Sequence, residues 1–402
     1  KEKMATDAII ENTPHENQTG NNPVQTEASN TENPLVYEGK GGQVFQLWLM
    51  NFLLKIITLG IYSFWGKTRL RKYIYGSFSL GGDRFEYTGT GGELFKGFLK
   101  VLPILVILLG PIAIWGEQNP AVLLLYFPLF YLFGVAIYGA MRYRFSRTRW
   151  RGIRARLGGS AFKYANISAS RFFLNIITLG FAIPYSDIAR TKYMFGNIYF
   201  GNVQAEYNGH AKNIYGAYIK SLFMMFGVMI IPAVLFSIPI IMEAINTAAS
   251  QPVDYSSGEQ KTFGEIANNV NQSMSMLPGL VAAVSYMLGI ILAIALIPVA
   301  RSMYTAALMR ESMRGLVVGD LRFKSKVTTW SLLKHQLGNV LLLIFTLGLA
   351  TPFVINRKAK FMAVNTVIYG DLDTSQVMQG KDEGITSGEG LEDALDIDAG
   401  FI

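Results

Sequence analysis

Four stretches of the chain run apolar for the ~20 residues that a bilayer core requires: Phe95 to Trp115, Ala121 to Met141, Leu222 to Met242 and Leu277 to Ala300. Lys96 and Lys100, near the start of the first, are their only charges. Three shorter apolar segments resemble one another. "NFLLKIITLGIYSFWGKTRLRKY" from Asn51 aligns without a gap to "RFFLNIITLGFAIPYSDIARTKY" from Arg171, an offset of 120, and to "NVLLLIFTLGLATPFVINRKAKF" from Asn339, 168 further on. The second copy offers twelve residues, Phe172 to Ile183, before Pro184, and the third, Val340 to Val354, contains Pro352. Both are short for a crossing and carry Gly and Pro where a helix breaks. They are predicted to be re-entrant or interfacial. Val44 to Trp65, 22 residues with Lys55 inside, is long enough to span or to do the same.

A polar phrase punctuates these segments: "LGGDRFEY" at Leu80, "LGGSAFKY" at Leu157, "FGNVQAEY" at Phe200, and more faintly "VGDLRFKS" at Val318 and "YGDLDTSQ" at Tyr369. Gly followed by Gly, Asn or Asp between alternating apolar residues is the signal of a tight β-hairpin turn. Tyr87, Tyr164, Tyr207 and Ser325 each lie eight residues before the next apolar segment, as does Tyr37. Hairpin-then-helix units with internal repeats are expected, a sign to be read before any fold is argued. An isolated hairpin is marginal in water, so five of them are expected to pair in a shared layer. Tyr87, Tyr164 and Tyr207 either face that layer or anchor at the lipid headgroups.

Composition agrees with a bilayer. Half of the residues are hydrophobic and 16% are charged, against about 25% in soluble proteins. The absence of cysteine removes disulfides, thiolate metal sites and thiol catalysis together. The net charge of +8 is unevenly placed: eight Lys or Arg fall in Arg142 to Lys163 and four in "KTRLRK" at Lys67, whereas Ala244 to Leu277 is acidic. By the positive-inside rule the basic stretches, the hairpins and both termini are cytoplasmic, and 244–277 is an outside loop. Basic clusters beside apolar spans read as topology signals and not as a nucleic-acid surface. Lys1 to Pro34 is polar and aperiodic, without the apolar core of a signal peptide, so it is expected to be a disordered tail, with Met4 a possible true start. The C-terminal stretch 380–402 is acidic with an apolar edge, and either docks on the basic face or stays free. The expected layout is a first membrane repeat over 35–164, a second over 165–325 and a partial third over 326–379.

Catalytic chemistry is sparse. His15, His210 and His335 lack metal-ligand spacing, and "GIYSFWGKT" has five residues between its glycines where a phosphate loop has four. No cofactor, metal or enzymatic activity is expected. Thr58, Thr178 and Thr346, each two residues before Gly60, Gly180 and Gly348, mark the breaks. A Thr hydroxyl with freed carbonyls there can hold an ion or a substrate head group, or can simply satisfy the broken helix. Lys55, replaced by Asn175 and Leu343 in the other copies, is either an intramembrane functional charge or a snorkelling one. Lys67, Arg69, Arg71, Lys72, Arg190 and Lys192 are placed to meet anionic lipid headgroups, each contributing about 1 kcal/mol.

"FWGKTRLRKY" (Phe64 to Tyr73), "TRWRGIRARLGG" (Thr148 to Gly159), the Thr-Leu-Gly segments and "LEDALDIDAGF" (Leu391 to Phe401) resemble the YjgN family of bacterial inner-membrane proteins, for which no function is known. The resemblance extends over nearly the whole chain from Val36 and implies an inner-membrane location. It supplies no catalytic residues, and Asp187 stands where the first copy has Lys67. The expectation is therefore a polytopic α-helical membrane protein with four full transmembrane helices, three short broken segments and a cytoplasmic layer of β-hairpins. Passage of a small solute or lipid through a centre lined by the broken helices is the leading functional expectation. An envelope scaffold binding partners through its β layer is the alternative.

Overall fold

The polar phrases lie at strands, and the strands close on themselves. In the computed structural model, which describes residues 31–116, 119, 122, 124–249, 276–375, 377 and 378, ten short strands form a closed antiparallel barrel. One order, strand, helical excursion, strand, recurs five times, with two helices among the described residues in four of the excursions and three in the fourth. β1 (Glu32–Tyr37) leads through α1 (Gly41–Ile57) and α2 (Ser63–Gly76) to β2 (Phe78–Leu80). β3 (Asp83–Tyr87) leads through α3 (Gly91–Trp115) and α4 (Tyr126–Arg147) to β4 (Thr148–Trp150). The third unit is β5 (Ile153–Leu157), α5 (Ala161–Ile177), α6 (Ile183–Phe195) and β6 (Ile198–Phe200). The fourth is β7 (Val203–Tyr207), α7 (Lys212–Ala249), α8 (Met276–Ala300), α9 (Ser302–Arg314) and β8 (Leu316–Val318). The fifth is β9 (Leu321–Ser325), α10 (Thr329–Phe345), α11 (Thr351–Asn365) and β10 (Thr366–Tyr369).

Each excursion is tied at its root by the same backbone bond. The residue after the outgoing strand donates its N–H to the carbonyl just before the returning one: Glu38 to Ser77 (2.9 Å), Thr88 to Arg147 (2.8 Å), Gly158 to Asn197 (2.8 Å), Asn208 to Gly315 (2.8 Å) and Lys326 to Asn365 (2.7 Å). These bonds satisfy groups that would otherwise be orphaned where strand becomes helix. Around the ring, α2 packs on α3, α4 on α5, α6 on α7, α8 and α9 on α10, and α11 on α1.

The strand faces decide which solvent the barrel suits. Along β7, Val203, Ala205 and Tyr207 turn inward while Gln204 and Glu206 are exposed, and β9 alternates in the same way with Arg322 and Lys324 outside. Leu35, Leu80, Phe85, Trp150, Phe200, Phe323 and Ile368 meet inside, drawn from strands all round the ring. A barrel that spans a membrane carries its apolar band outside. This one is apolar within and polar without, and its bore is filled. Trp150 is central: it stacks near Phe85 and Phe200 and donates its Nε1–H to the Leu80 carbonyl at 3.3 Å. Trp150→Ala should therefore cost about 3–5 kcal/mol, seen as a large fall in melting temperature of the detergent-purified protein.

These observations correct the expected fold. Among the described residues three helices, not four, are long and apolar enough to cross a membrane: Gly91–Trp115, Lys212–Ile245 and Gly279–Arg314. The fourth expected span fails because the apolar run of α4 begins at Tyr126 and meets Arg142 sixteen residues later, about 24 Å at 1.5 Å per residue. In place of a shared layer of five paired hairpins there is the closed ten-stranded barrel. Four two-residue turns join neighbouring units. "LGGSAFKY" is not among them, since Leu157 ends β5 and Ala161 already begins α5. The turn of that hairpin is Arg151–Gly152, both at positive φ, and the Gly-Gly corner next to it hid the signal. Tyr369 ends a strand that pairs with β1. Residues 32–34, expected to belong to a disordered tail, form part of that strand, because their partner comes from the far end of the chain. The rest of both tails and most of the loop 244–277 lie outside the described residues, although α7 continues to Ala249.

Candidate functional site at the helix tips and roots

Each short segment is a helical hairpin whose turn is Thr-Leu-Gly. The prolines do not break the helix: Pro184 and Pro352 occupy the first turn of the returning helix, where a missing N–H costs nothing. The break itself is a C-terminal cap of Schellman type. Gly60 donates to the Lys55 carbonyl at 2.7 Å, Gly180 to that of Asn175 at 2.6 Å and Gly348 to that of Leu343 at 2.8 Å. The residue before each of these glycines is in the left-handed region, with φ of 50° at Leu59, 49° at Leu179 and 50° at Leu347. Glycine is the usual occupant there, and a side chain costs about 1–2 kcal/mol. The three leucines are also 94%, 88% and 92% exposed. A strained, fully exposed leucine at three tips is a surface feature and not a packing one.

The threonines are consumed by the same turns. Thr58 donates to the Leu54 carbonyl (2.7 Å) and accepts from the Tyr62 N–H (2.9 Å). Thr178 bridges Leu174 and Ala182 (2.8 and 3.1 Å), and Thr346 bridges Leu342 and Ala350 (2.7 and 3.1 Å). Two carbonyls at the second tip are taken as well, Gly180 by the Tyr218 hydroxyl (2.8 Å) and Phe181 by that of Tyr215 (3.0 Å). Thr58, Thr178 and Thr346 lie on three separate tips. Lys55 is exposed in the last turn of α1.

Heights follow from residue counts. Along α3 the last cation, Lys100, is the tenth residue, and along α7 it is Lys220, the ninth. The short helices α1, α5 and α10 have 17 residues each, so their tips reach about 10 Å beyond that level. That is the depth of an apolar face sunk at the headgroup and acyl boundary. Below it lies a collar of exposed cations on the returning side of four of the five units. Arg69 and Lys72 on α2, Lys192 on α6, Arg301 and Arg310 at α9, and Arg357 and Lys360 on α11 are all exposed. Arg190, by contrast, is paired to Asp187, whose second oxygen accepts from Tyr304 at 2.5 Å and so joins α6 to α9. Lys67 and Arg71 also have partners within the protein.

The roots hold a pattern that sequence reasoning missed. Five residues before four of the five returning strands stands a side chain that accepts the N–H at the start of the outgoing helix. The Tyr73 hydroxyl takes Lys40 (2.8 Å), Tyr143 takes Thr90 (3.2 Å), Tyr193 takes Ser160 (2.8 Å), and Glu311 takes His210 (2.8 Å). Tyr143 further donates to Glu93 (2.8 Å), which accepts two bonds from Arg147. The tyrosine five before the strand, with cations around it, is the signal that could have found them. Tyr87 and Tyr207 belong to separate root clusters, and Tyr164 lies on α5 beside Tyr138 and Tyr193.

In the fifth unit the same position is Phe361, stacked on His335 at 4.3 Å. The Asn339 amide meets His335 Nε2 at 2.9 Å. Burial, with Arg357 and Lys358 nearby, pushes the imidazole down from 6.5 to about 4. The unfolded chain therefore binds a proton here that the folded one refuses, so stability is full above pH ~6.5 and declines as pH falls toward 4. Unfolding in detergent between pH 7 and 4.5 should show this loss, and His335→Gln should flatten it.

Among the described residues no group of three or more His, Asp or Glu side chains could hold a metal ion. Comparison with known proteins gives a family and little more. A family model described as "Bacterial protein of unknown function (DUF898)" matches residues 32–394. The protein named Inner membrane protein YjgN from Salmonella typhimurium (strain LT2) is 44% identical over 66 residues, 16% of this chain and 17% of that protein. Its namesake from Escherichia coli (strain K12) is 40% identical over 52 residues, 13% of each chain. The matched stretches thus span about a sixth or less of these relatives. No solved structure matches.

Proposed function

We propose that this chain, which belongs to the DUF898 family of bacterial proteins of unknown function, handles lipid at the inner membrane, easing the movement of phospholipid along the step between its tall and short helical hairpins. The observation that carries the proposal is the set of three leucine tips, exposed and strained, that end about 10 Å past the cation level while α3, α7 and α8 run on. Apolar elements shorter than the hydrocarbon thickness are accommodated by local thinning of the bilayer. A thinned strip beside a cationic collar lowers the barrier that a phosphate headgroup meets. A small-solute path through the centre has less support, since the barrel bore is packed and the tip threonines bond within their own turns.

In this reading the barrel and both chain ends face the cytoplasm, because every returning helix places cations on the barrel side of the apolar segments. Anionic lipids are the partners, and no bond-making step is assigned. The test is a reconstitution. Vesicles carrying a phospholipid fluorescent at its headgroup, treated with impermeant dithionite, should bleach beyond the outer leaflet when they contain the protein. Bleaching that stops at the protein-free level would overturn the reading and leave a scaffold acting through the charged outer wall of the barrel.

A further inference from the structure

Where the second unit meets the third, the helices leave a cleft of about 570 Å³, within the ~300–1,000 Å³ range of small-ligand sites. Its wall is almost wholly apolar: Ile104 and Leu108 on α3, Phe127 and Phe130 on α4, and Ala169 and Phe173 on α5. The cleft lies at the level of the apolar half of α3, so an occupant comes from the bilayer.

Its barrel-side end is polar. Lys100 is exposed one turn before Ile104 on the same face of α3. Tyr131 of α4 donates its hydroxyl to Asn166 Oδ1 at 2.7 Å and lies 3.3 Å from the Phe162 carbonyl. With its oxygen so engaged, the Asn166 amide nitrogen is left as a donor. An ammonium and an amide at one end of an apolar slot match an anion attached to a hydrocarbon chain.

We propose that this cleft seats one phospholipid of the surrounding bilayer, an acyl chain lying along Ile104, Leu108, Phe130 and Phe173 and the phosphate meeting Lys100 and the Asn166 amide. The inference rests on the lipid-handling reading for its purpose, since the cleft is at the junction of a tall hairpin with a short one, but binding and passage are separately measurable. The probe is phosphatidylglycerol, titrated into the full-length protein in detergent and counted by native mass spectrometry. Lys100→Gln should weaken retention about five-fold, the equivalent of one surface charge on an anionic headgroup. Ala169→Trp, which fills the slot, should abolish the tightest-bound lipid. Lys100 is exposed, so its variant folds even if the Trp variant does not. Retention unchanged in Lys100→Gln overturns the seat, whatever the dithionite assay gives. Weakened retention with no passage in the parent protein establishes the seat and removes the passage reading.

Discussion

Cysteines placed at Glu32 and Tyr369 will join across the barrel seam. The two residues are register partners of β1 and β10, and the Tyr369 hydroxyl already reaches Glu32 Oε1 at 2.8 Å. With no native cysteine in the chain, the double variant Glu32→Cys/Tyr369→Cys has one pairing open to it. Oxidation should give a faster-migrating band on a denaturing gel, reversed by reductant. The closed loop covers a separation of 337 residues, for which chain entropy alone gives about 5–6 kcal/mol of stabilisation. Oxidised protein should accordingly withstand detergent and heat that unfold the reduced form. A variant that stays reduced, or that crosslinks between molecules, would show that the seam is open.

The second large effect concerns the tips. Leu59→Asp, Leu179→Asp and Leu347→Asp together should draw the short hairpins out of the bilayer. Each leucine contributes about 2 kcal/mol when its exposed surface enters hydrocarbon, so some 6 kcal/mol of insertion is lost before the cost of three carboxylates is counted. The tall helices continue to hold the protein in the membrane. A bimane on Ile57→Cys, quenched by brominated acyl chains in the parent, should lose that quenching in the triple variant. The glycine variants separate strain from insertion: Leu179→Gly relieves the left-handed strain, gaining about 1 kcal/mol in detergent, yet gives up the apolar tip. Tips that stay quenched in the triple aspartate variant would mean that the leucines do not enter lipid.

Local chemistry was legible in the sequence and closure was not. The Gly-Gly and Gly-Asn turns announced hairpins at Leu80 and Phe200, and the Thr-Leu-Gly segments announced breaks, because both depend on a few consecutive residues. The partner of β1 could not be read that way. Pro34 makes the strand look like a tail, and it is tolerated only because β1 passes from β10 to β2 at that residue. The short segments showed a related confusion. Proline drew the eye as the breaker, although the break sits earlier at Leu179 and Leu347, where left-handed backbone under a branched side chain is something that propensity argues against. The tip threonines looked like ligands for the same reason that they are good caps: a hydroxyl bridging two backbone groups serves either use.

The seam between β1 and β10 also fixes a schedule. Since β1 precedes its partner β10 by 337 residues, the barrel keeps an unpaired edge until β10 is made. At about 5–20 residues per second, the ribosome takes roughly 17–70 seconds to deliver the closing strand. Every helical excursion emerges before that strand does, so insertion into the bilayer comes first and the aqueous module is sealed afterwards. A nascent chain arrested before Thr366 therefore carries an exposed strand edge, the kind of surface that chaperones hold and proteases cut.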